Sequence, residues 1–83
     1  MSFPKTAELV KEIWQEVLGI EVGGETDFFE TSGDSLAAMR IYAKLAEALN
    51  ISLPLASLFD NPRLADFIAV VTNEVAVVNR DAG

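Results

Sequence analysis

The spacing of apolar residues divides the chain into helical segments separated by a long loop. From about residue 6 to residue 18, apolar positions recur every three or four residues and mostly polar residues lie between them, which predicts an amphipathic helix. Its apolar face consists of Leu9, Val10, Ile13, Trp14, Val17 and Leu18. Thr6 is the expected N-cap, after Pro4, and Gly19 follows the last periodic residue as a C-terminal stop.

A second helix is predicted from about Ser35 to Leu49, with Asp34 or Ser35 at its N-cap. Asn50 can adopt the left-handed conformation that ends a helix. Steps of about 100° per residue place six residues in one sector of this helix. They form the expected core stripe: Ala38, Ile41, Tyr42, Leu45, Ala48 and Leu49.

The segment between these two helices, residues 20–33, is rich in turn-forming residues and has no helical periodicity, so it predicts a long loop. At least one of Phe28 and Phe29 is expected to anchor the loop to the core. A structureless loop of this length is unusual in so short a chain and indicates a functional role.

The last third of the chain predicts one helical turn, Leu55 to Phe59, and then a final helix. Asn61 is the expected N-cap of that helix and Pro62 its first residue. Its apolar stripe consists of Leu64, Phe67, Ile68, Val71 and Val75. The β-branched residues between positions 70 and 78 are also compatible with a strand, and residues 76–83 are expected to fray.

The expected fold class is all-α, because the chain offers three main helices, one short helix and no strands that could pair. We therefore predict a small four-helix bundle. A length of 83 residues allows one domain, predicted over residues 1–83 with a core of about 6–75. A hydrophobic fraction of 51% is too high for a disordered chain.

Composition excludes several kinds of chemistry. The chain contains no cysteine and no histidine, which removes disulfides, thiolate nucleophiles, the commonest metal ligand and the most frequent general base, so no metal site is expected. A net charge of −7 argues against nucleic acid and anionic membranes and favours basic partners, but it is also an ordinary solubility surplus. Without a long apolar run or a secretory segment, the protein is expected to be cytoplasmic.

Residues 33–36 spell Gly-Asp-Ser-Leu, the signature of a family of serine esterases. Such an enzyme needs a base to activate its serine, usually histidine, and this chain has none. Lys44 lies half a turn around the helix from Ser35 and cannot replace it. The chain is also too short for the α/β sheet of those enzymes. The match to the esterase signature is therefore a coincidence.

Ser35 has two readings from the residues alone. Serine is a standard N-cap, which would explain its position without any function. A helix N-terminus also has spare N–H groups and partial positive charge, so a phosphate ester at Ser35 would be stabilised. Leu36 and Met39 fall outside the core stripe and flank Ser35, which indicates a contact patch for a partner.

A longer motif runs through this region: Asp27-Phe28-Phe29-Glu30, followed by residues 32–41, Ser-Gly-Asp-Ser-Leu-Ala-Ala-Met-Arg-Ile. It resembles the core motif of thiolation domains, the peptidyl carrier proteins of nonribosomal peptide synthetases. The similarity extends outward to further positions, with its spacing preserved, and covers roughly residues 6–72. These positions are Ile13-Trp14, residues 16–19, Leu53-Pro54-Leu55, Leu58-Phe59 and Asn61-Pro62.

The resemblance implies an acyl-carrier-type four-helix bundle in which Ser35 carries 4′-phosphopantetheine as a phosphodiester, with Asp34 as the adjacent motif residue. A phosphopantetheinyl transferase would install this arm from coenzyme A, and its thiol would hold an amino acid or peptide as a thioester. An adenylation domain would load it, and condensation, tailoring or thioesterase domains would unload it. The resemblance thus implies a monomeric, non-catalytic carrier.

Six residues are the expected partner interface by the same resemblance: Leu36, Met39, Arg40, Phe28, Leu55 and Phe59. The chain departs from the family where Ser32-Gly33 replaces two glycines, where Asp34 replaces a frequent histidine and where Arg63 replaces a frequent threonine. The alternatives are an acyl carrier protein of polyketide or fatty acid synthesis and a D-alanyl carrier protein. A hypothesis of a different class is an unmodified helical interaction module.

Overall fold

The computed structural model describes residues 3–31 and 33–82. Its helices are α1 (Phe3–Leu18), α2 (Ser35–Leu49), α3 (Ala56–Asp60) and α4 (Leu64–Ala82), and a 3₁₀ turn spans Phe29–Thr31. Within these residues the extended pairing is limited to one isolated bridge between Asp27 and Arg63. The prediction of an all-α four-helix bundle is confirmed. None of the helices in the described ranges is long and apolar enough to cross a membrane.

The core is built around α1, which packs against both α2 and α4, while α3 packs on α4. Its centre is aromatic: the Trp14 ring centroid lies 5.8 Å from that of Phe28 and 5.9 Å from that of Phe67. All three side chains are fully buried, so rings from α1, the long loop and α4 meet in one place. Burial of such large apolar groups is the main favourable contribution to folding.

Helix α1 begins at Phe3, three residues before the predicted N-cap Thr6, so that part of the prediction is wrong. Pro4 is compatible with the first turn because the N–H groups there have no intrahelical acceptor in any case. The predicted stop at Gly19 is confirmed. Gly19 has φ of +75°, which glycine adopts without strain, and its N–H donates to the Gln15 carbonyl at 2.8 Å.

Helix α2 has the predicted bounds, and its predicted left-handed end is confirmed at Asn50, with φ of 56° and ψ of 42°. Three members of the expected core stripe are buried, namely Ala38, Ile41 and Leu45. Two more, Tyr42 and Leu49, are partly buried against the core. The sixth, Ala48, is exposed, so its assignment to the core is wrong. Ala48 lies at the edge of the stripe, towards Lys44, in the last turn of the helix.

The predicted start of the last helix at Asn61-Pro62 is also wrong, because Asn61 closes α3 instead. Its Nδ2 group donates to the Ser57 carbonyl at 2.9 Å, and α4 begins only at Leu64. The N–H groups of Leu64 and Ala65 donate to loop carbonyls, those of Thr26 and Gly24, at 2.9 Å each. The long loop therefore caps α4 through its backbone, a partner that local sequence does not reveal.

Helix α4 continues to Ala82, whereas the β-branched residues allowed a strand and the last residues were expected to fray. The helical alternative holds because Val75 and Val78 pack against the core on the same face as Phe67 and Val71. Gly83 lies outside the described residues.

Asn50 provides a direct test of the left-handed helix end. Asn50→Gly should leave the free energy of unfolding within a few tenths of a kcal/mol, because glycine adopts this conformation freely. Asn50→Val should lower it by about 1–2 kcal/mol, the strain of a side chain that tolerates positive φ poorly. Urea denaturation followed by circular dichroism measures both. Equal stability of the two variants would contradict the assigned backbone conformation.

Candidate functional site

Phe28 fixes the loop that leads to Ser35. Its ring is fully buried against Trp14, and its N–H donates to the Pro62 carbonyl at 2.7 Å. Its own carbonyl accepts from the Thr31 hydroxyl at 2.7 Å and from the Gly33 N–H at 3.1 Å. One residue thus holds the loop to the core and folds the chain back towards α2, which confirms that at least one of the two phenylalanines is an anchor.

Gly33 passes so close to Phe28 that only a glycine fits there. A Cβ atom at this position would lie 2.7 Å from two carbon atoms of the Phe28 ring and closer still to its carbonyl oxygen. Such distances require the backbone to move, because neither group is the flexible end of a side chain. Ser32, where the chain departs from the related motif, lies outside the described residues. The loop conformation before α2 therefore depends on Gly33.

The N-cap of α2 is Asp34, which leaves the neighbouring serine free of that role. The extended backbone of Asp34 (φ −136°, ψ −176°) lets its Oδ1 atom accept from the Ala37 N–H at 2.9 Å. Its carbonyl accepts from the Ala38 N–H at 2.9 Å. Ser35 is therefore the first residue of the helix, and the reading in which Ser35 is the structural cap is wrong.

The Ser35 side chain is exposed, and its hydroxyl makes no hydrogen bond to any of the described residues. The first four N–H groups of a helix have no intrahelical acceptor. The Asp34 side chain accepts from one of those in α2, the Ala37 N–H, and the N–H groups of Ser35 and Leu36 have no acceptor among the described residues. Spare N–H donors and the positive end of the helix dipole together favour a phosphate group at this hydroxyl.

Two large apolar side chains flank Ser35 on α2. Leu36 is 65% exposed and Met39 is 59% exposed, which confirms that both lie outside the core stripe. Arg40, on the same side as Leu36, is also exposed. Apolar groups this exposed, clustered beside a free hydroxyl at a helix start, form a surface suited to contact with another protein.

The apolar surface continues from α2 onto α3 and the loop. Met39 and Leu55 line the same apolar cavity of about 400 Å³ between α2 and the chain that leads to α3. Leu55 and Phe59 are four residues apart across the start of α3, and the Phe59 ring stacks on that of Phe29 at 5.6 Å. We call Leu36, Met39, Arg40, Leu55, Phe59 and Phe29 the docking surface.

Phe28 does not belong to the docking surface, although the sequence analysis placed it in the partner interface. Its side chain is fully buried, so it cannot touch a partner. Phe29 is the exposed ring of the pair: it is 49% exposed and packs edge-on against Phe28. One feature of the sequence indicates that only one of the two rings is buried: Phe28 and Phe29 are adjacent, and adjacent side chains in an extended chain point in opposite directions.

Tyr42 connects the docking surface to the core. Its hydroxyl donates to the Pro54 carbonyl at 2.6 Å and accepts from the Leu58 N–H at 3.2 Å. Burial raises the pKa of Tyr42 above its ordinary value of 10.0, and the hydrogen bond from the Leu58 N–H opposes this rise without cancelling it. The hydroxyl is therefore protonated at neutral pH and available as a donor.

Lys44 is not positioned to act as a base on Ser35. The Lys44 ammonium is 3.0 Å from the Glu16 carboxylate on α1, on the other side of α2, as the helical spacing predicts. No three of the acidic side chains in the described ranges come together as a metal site would require. What the geometry shows is an exposed Ser35 hydroxyl at the start of α2.

Comparison with known proteins identifies the family. The model described as "Phosphopantetheine attachment site" matches residues 8–71, which is most of the chain. The chain belongs to this family of phosphopantetheine-bearing carrier domains. The family explains why a chain without cysteine or histidine presents an exposed serine at a helix start, because the reactive thiol comes with the prosthetic group.

Curated relatives with similar sequences are large peptide synthetases. Phosphinothricin tripeptide synthetase PhsC of Streptomyces viridochromogenes is 46% identical over 70 residues, which are 83% of this chain and 6% of that protein. Tyrocidine synthase 3 of Brevibacillus parabrevis is 46% identical over 56 residues, 66% of this chain and 1% of that protein. The chain therefore spans only a small fraction of the length of these relatives.

Solved structures with the same fold include peptidyl carrier proteins. An active-site mutant of a peptidyl carrier protein has a TM-score of 0.79 and 29% identity, covering 86% of this chain and 80% of that one. A peptidyl carrier protein in complex with coenzyme A and the phosphopantetheine transferase Sfp has a TM-score of 0.77 and 30% identity, covering 82% and 90%. The resemblance to thiolation domains is thereby confirmed.

Gly33→Ala tests the close approach of the loop to Phe28. Because the added methyl group overlaps the Phe28 ring and carbonyl, the free energy of unfolding should fall by about 1–3 kcal/mol. The matched control is Gly23→Ala, whose Cβ would meet nothing within 4 Å and which should keep its stability within about 0.5 kcal/mol. Chemical denaturation measures the free energy of unfolding of both variants. Equal stability would mean that the loop does not need glycine at position 33.

Proposed function

We propose that Ser35 is the attachment site of 4′-phosphopantetheine and that the chain is a peptidyl carrier domain of nonribosomal peptide synthesis. The observation that carries the proposal is the division of roles at the start of α2: Asp34 caps the helix, and the adjacent Ser35 hydroxyl is exposed and unengaged within the described residues. Family membership and the synthetase relatives support the same assignment.

The modification is a transfer of the phosphopantetheinyl group from coenzyme A. The Ser35 oxygen forms a bond to the phosphorus next to the pantetheine, and the pyrophosphate P–O bond on the far side of that phosphorus breaks. Adenosine 3′,5′-bisphosphate leaves with the electron pair, and the serine proton passes to a base of the transferase. The chain contributes the Ser35 hydroxyl, and the N–H groups of Ser35 and Leu36 at the helix start would stabilise a phosphodiester there.

The arm then supplies the chemistry that the chain lacks. When bound, the arm would supply the thiol that holds an amino acid or peptide as a thioester, and an adenylation domain would load it. Condensation, tailoring or thioesterase domains would next remove or modify the cargo. In this scheme the domain is a non-catalytic carrier, and we place its action in the cytoplasm, where coenzyme A and ATP are available.

The docking surface would receive these partners. Its centre consists of Leu36, Met39 and Leu55, which lose water favourably when covered by another apolar surface. Arg40 adds an exposed positive charge next to Leu36, which suits an acidic group on the partner and sets orientation. Phe29 and Phe59 extend the surface as a stacked aromatic pair.

Ser35→Ala tests the attachment site. After incubation with coenzyme A, Mg²⁺ and a phosphopantetheinyl transferase of broad specificity, the wild type should gain the mass of one phosphopantetheinyl group and Ser35→Ala none. Ser52→Ala, which removes another exposed hydroxyl, should gain the same mass as the wild type. Intact-protein mass spectrometry measures all three. An unmodified wild type, folded by circular dichroism, would favour the interaction-module hypothesis instead.

Leu36→Glu and Met39→Glu test the docking surface. Each places a charge where a partner buries an apolar contact, so kcat/KM for modification should fall about tenfold or more, which corresponds to ~1.4 kcal/mol. The matched control is Val77→Glu, an equally charged change at an exposed position of α4 that should leave the rate unchanged. Thermal melting should be nearly unchanged in all three. A rate loss in Val77→Glu equal to that in Met39→Glu would mean that net charge alone is responsible.

A further inference from the structure

Helix α3 lacks a cap of its own. It has five residues, Ala56–Asp60, and Leu55 at its N-cap position makes no side-chain hydrogen bond. The backbone of Leu55 is helical (φ −57°, ψ −32°), whereas capping residues such as Asp34 are extended. A helix this short is unstable in isolation, so an external group has to hold it.

That group is the Tyr42 hydroxyl, which comes from α2. It accepts from the N–H of Leu58, the third residue of α3, which is a position that a local capping side chain would serve. It also donates to the Pro54 carbonyl, which accepts from the Ser57 N–H at 2.9 Å as well. The hydroxyl therefore closes the first turn of α3 from across the bundle.

The Tyr42 ring is held in turn by α4. It stacks on the Phe67 ring with centroids 6.2 Å apart and planes 27° apart, and Phe67 is fully buried in the aromatic core. The position of the hydroxyl thus depends on the stacking of the Tyr42 ring of α2 on the Phe67 ring of α4. Residues whose positions depend on the start of α3 therefore also depend on the position of the Tyr42 hydroxyl.

The residues that depend on it are those of the docking surface outside α2. Leu55 precedes α3 directly and Phe59 lies in its second turn, where its ring stacks on Phe29. Leu55 shares the cavity lining with Met39 and Tyr42. A shift of the first turn of α3 would therefore separate Leu55 and Phe59 from Met39 while Ser35 stayed in place.

We propose that Tyr42 is a positioning residue for partner docking: its hydroxyl supplies the missing N-cap of α3 and so holds Leu55 and Phe59 in register with Met39. This inference rests on the proposed carrier function. Removing the hydroxyl leaves the ring, its stacking on Phe67 and the burial of Leu58 in place. The first turn of α3 then retains only its local backbone bonds, of which that from the Leu58 N–H to the Leu55 carbonyl is long at 3.3 Å.

The first measurement is amide hydrogen exchange of Tyr42→Phe by NMR. The Ser57 and Leu58 amides should exchange about fivefold faster, which is the effect of losing one cap of ~1 kcal/mol. Ile41→Val is the control, because it trims a buried side chain of the same helix and lowers global stability by a similar amount. Unchanged exchange of Ser57 and Leu58 in Tyr42→Phe would overturn the inference.

The second measurement separates positioning from stability. In the phosphopantetheinyl transfer assay, Tyr42→Phe should raise KM for the carrier, by at most about fivefold for the loss of a cap of ~1 kcal/mol, because a smaller fraction is competent to dock, with kcat unchanged. Ile41→Val should leave both constants at their wild-type values. Equal KM values for Tyr42→Phe and the wild type would overturn the inference and leave the proposed function intact. A Tyr42→Phe variant that does not fold would also overturn it, since the hydroxyl would then serve the whole core.

The failure of the proposed function has a different signature. In that case the wild type itself gains no mass in the transfer assay, whatever the residue at position 42. The exchange rates of Ser57 and Leu58 still show whether Tyr42 caps α3, but its role in docking would be refuted together with the carrier assignment.

Discussion

The burial of Phe28 is the constraint on which the candidate site depends. The ring joins Trp14 in the core, and the backbone of the same residue bonds to Pro62 on one side and to Gly33 on the other. The end of the 15-residue connection, Gly19–Gly33, is thereby held against the core. The next residue, Asp34, has the extended backbone conformation in which it caps α2. Ser35 presents its hydroxyl at a defined point because the residue before it is already engaged.

The surface around that hydroxyl is assembled from three separate segments, and backbone bonds between segments hold it together. Loop carbonyls cap α4 and a hydroxyl from α2 caps α3, so both helix starts have a capping group from a distant part of the chain in addition to their local backbone bonds. Such caps connect the order of one element to the packing of another. Apolar residues that are distant in the chain, such as Phe29 and Leu55, can therefore form one surface although α3 is only five residues long.

The arrangement suits the proposed carrier function because a rigid bundle and a flexible prosthetic arm would have separate roles. In the proposed function, the bundle would provide the Ser35 hydroxyl and an apolar surface, while a prosthetic arm would supply the reactive thiol. A carrier of this kind would serve its partners through one surface and one prosthetic arm. Met39, with its flexible and polarisable side chain, is well suited to contacts that change from one partner to the next.

Local sequence determined the elements whose signals are local. The bounds of α2, the left-handed Asn50, the stop at Gly19 and the exposure of Leu36 and Met39 all follow from periodicity and end chemistry within a few residues. Composition removed most catalytic chemistry before any fold was known, and the motif around Ser35 indicated the family.

Tertiary structure decided the features whose partners are distant in the chain. Local signals favoured Thr6 and Asn61 as N-caps, yet α1 begins at Phe3, and carbonyl groups of the long loop cap the start of α4. The choice between Phe28 and Phe29 required the core itself, because only one of two adjacent rings could reach Trp14. The helical spacing placed Tyr42 in the core stripe. Its hydrogen bond to the Leu58 N–H at the start of α3 joins residues that are distant in the chain, so no local sequence pattern predicts it.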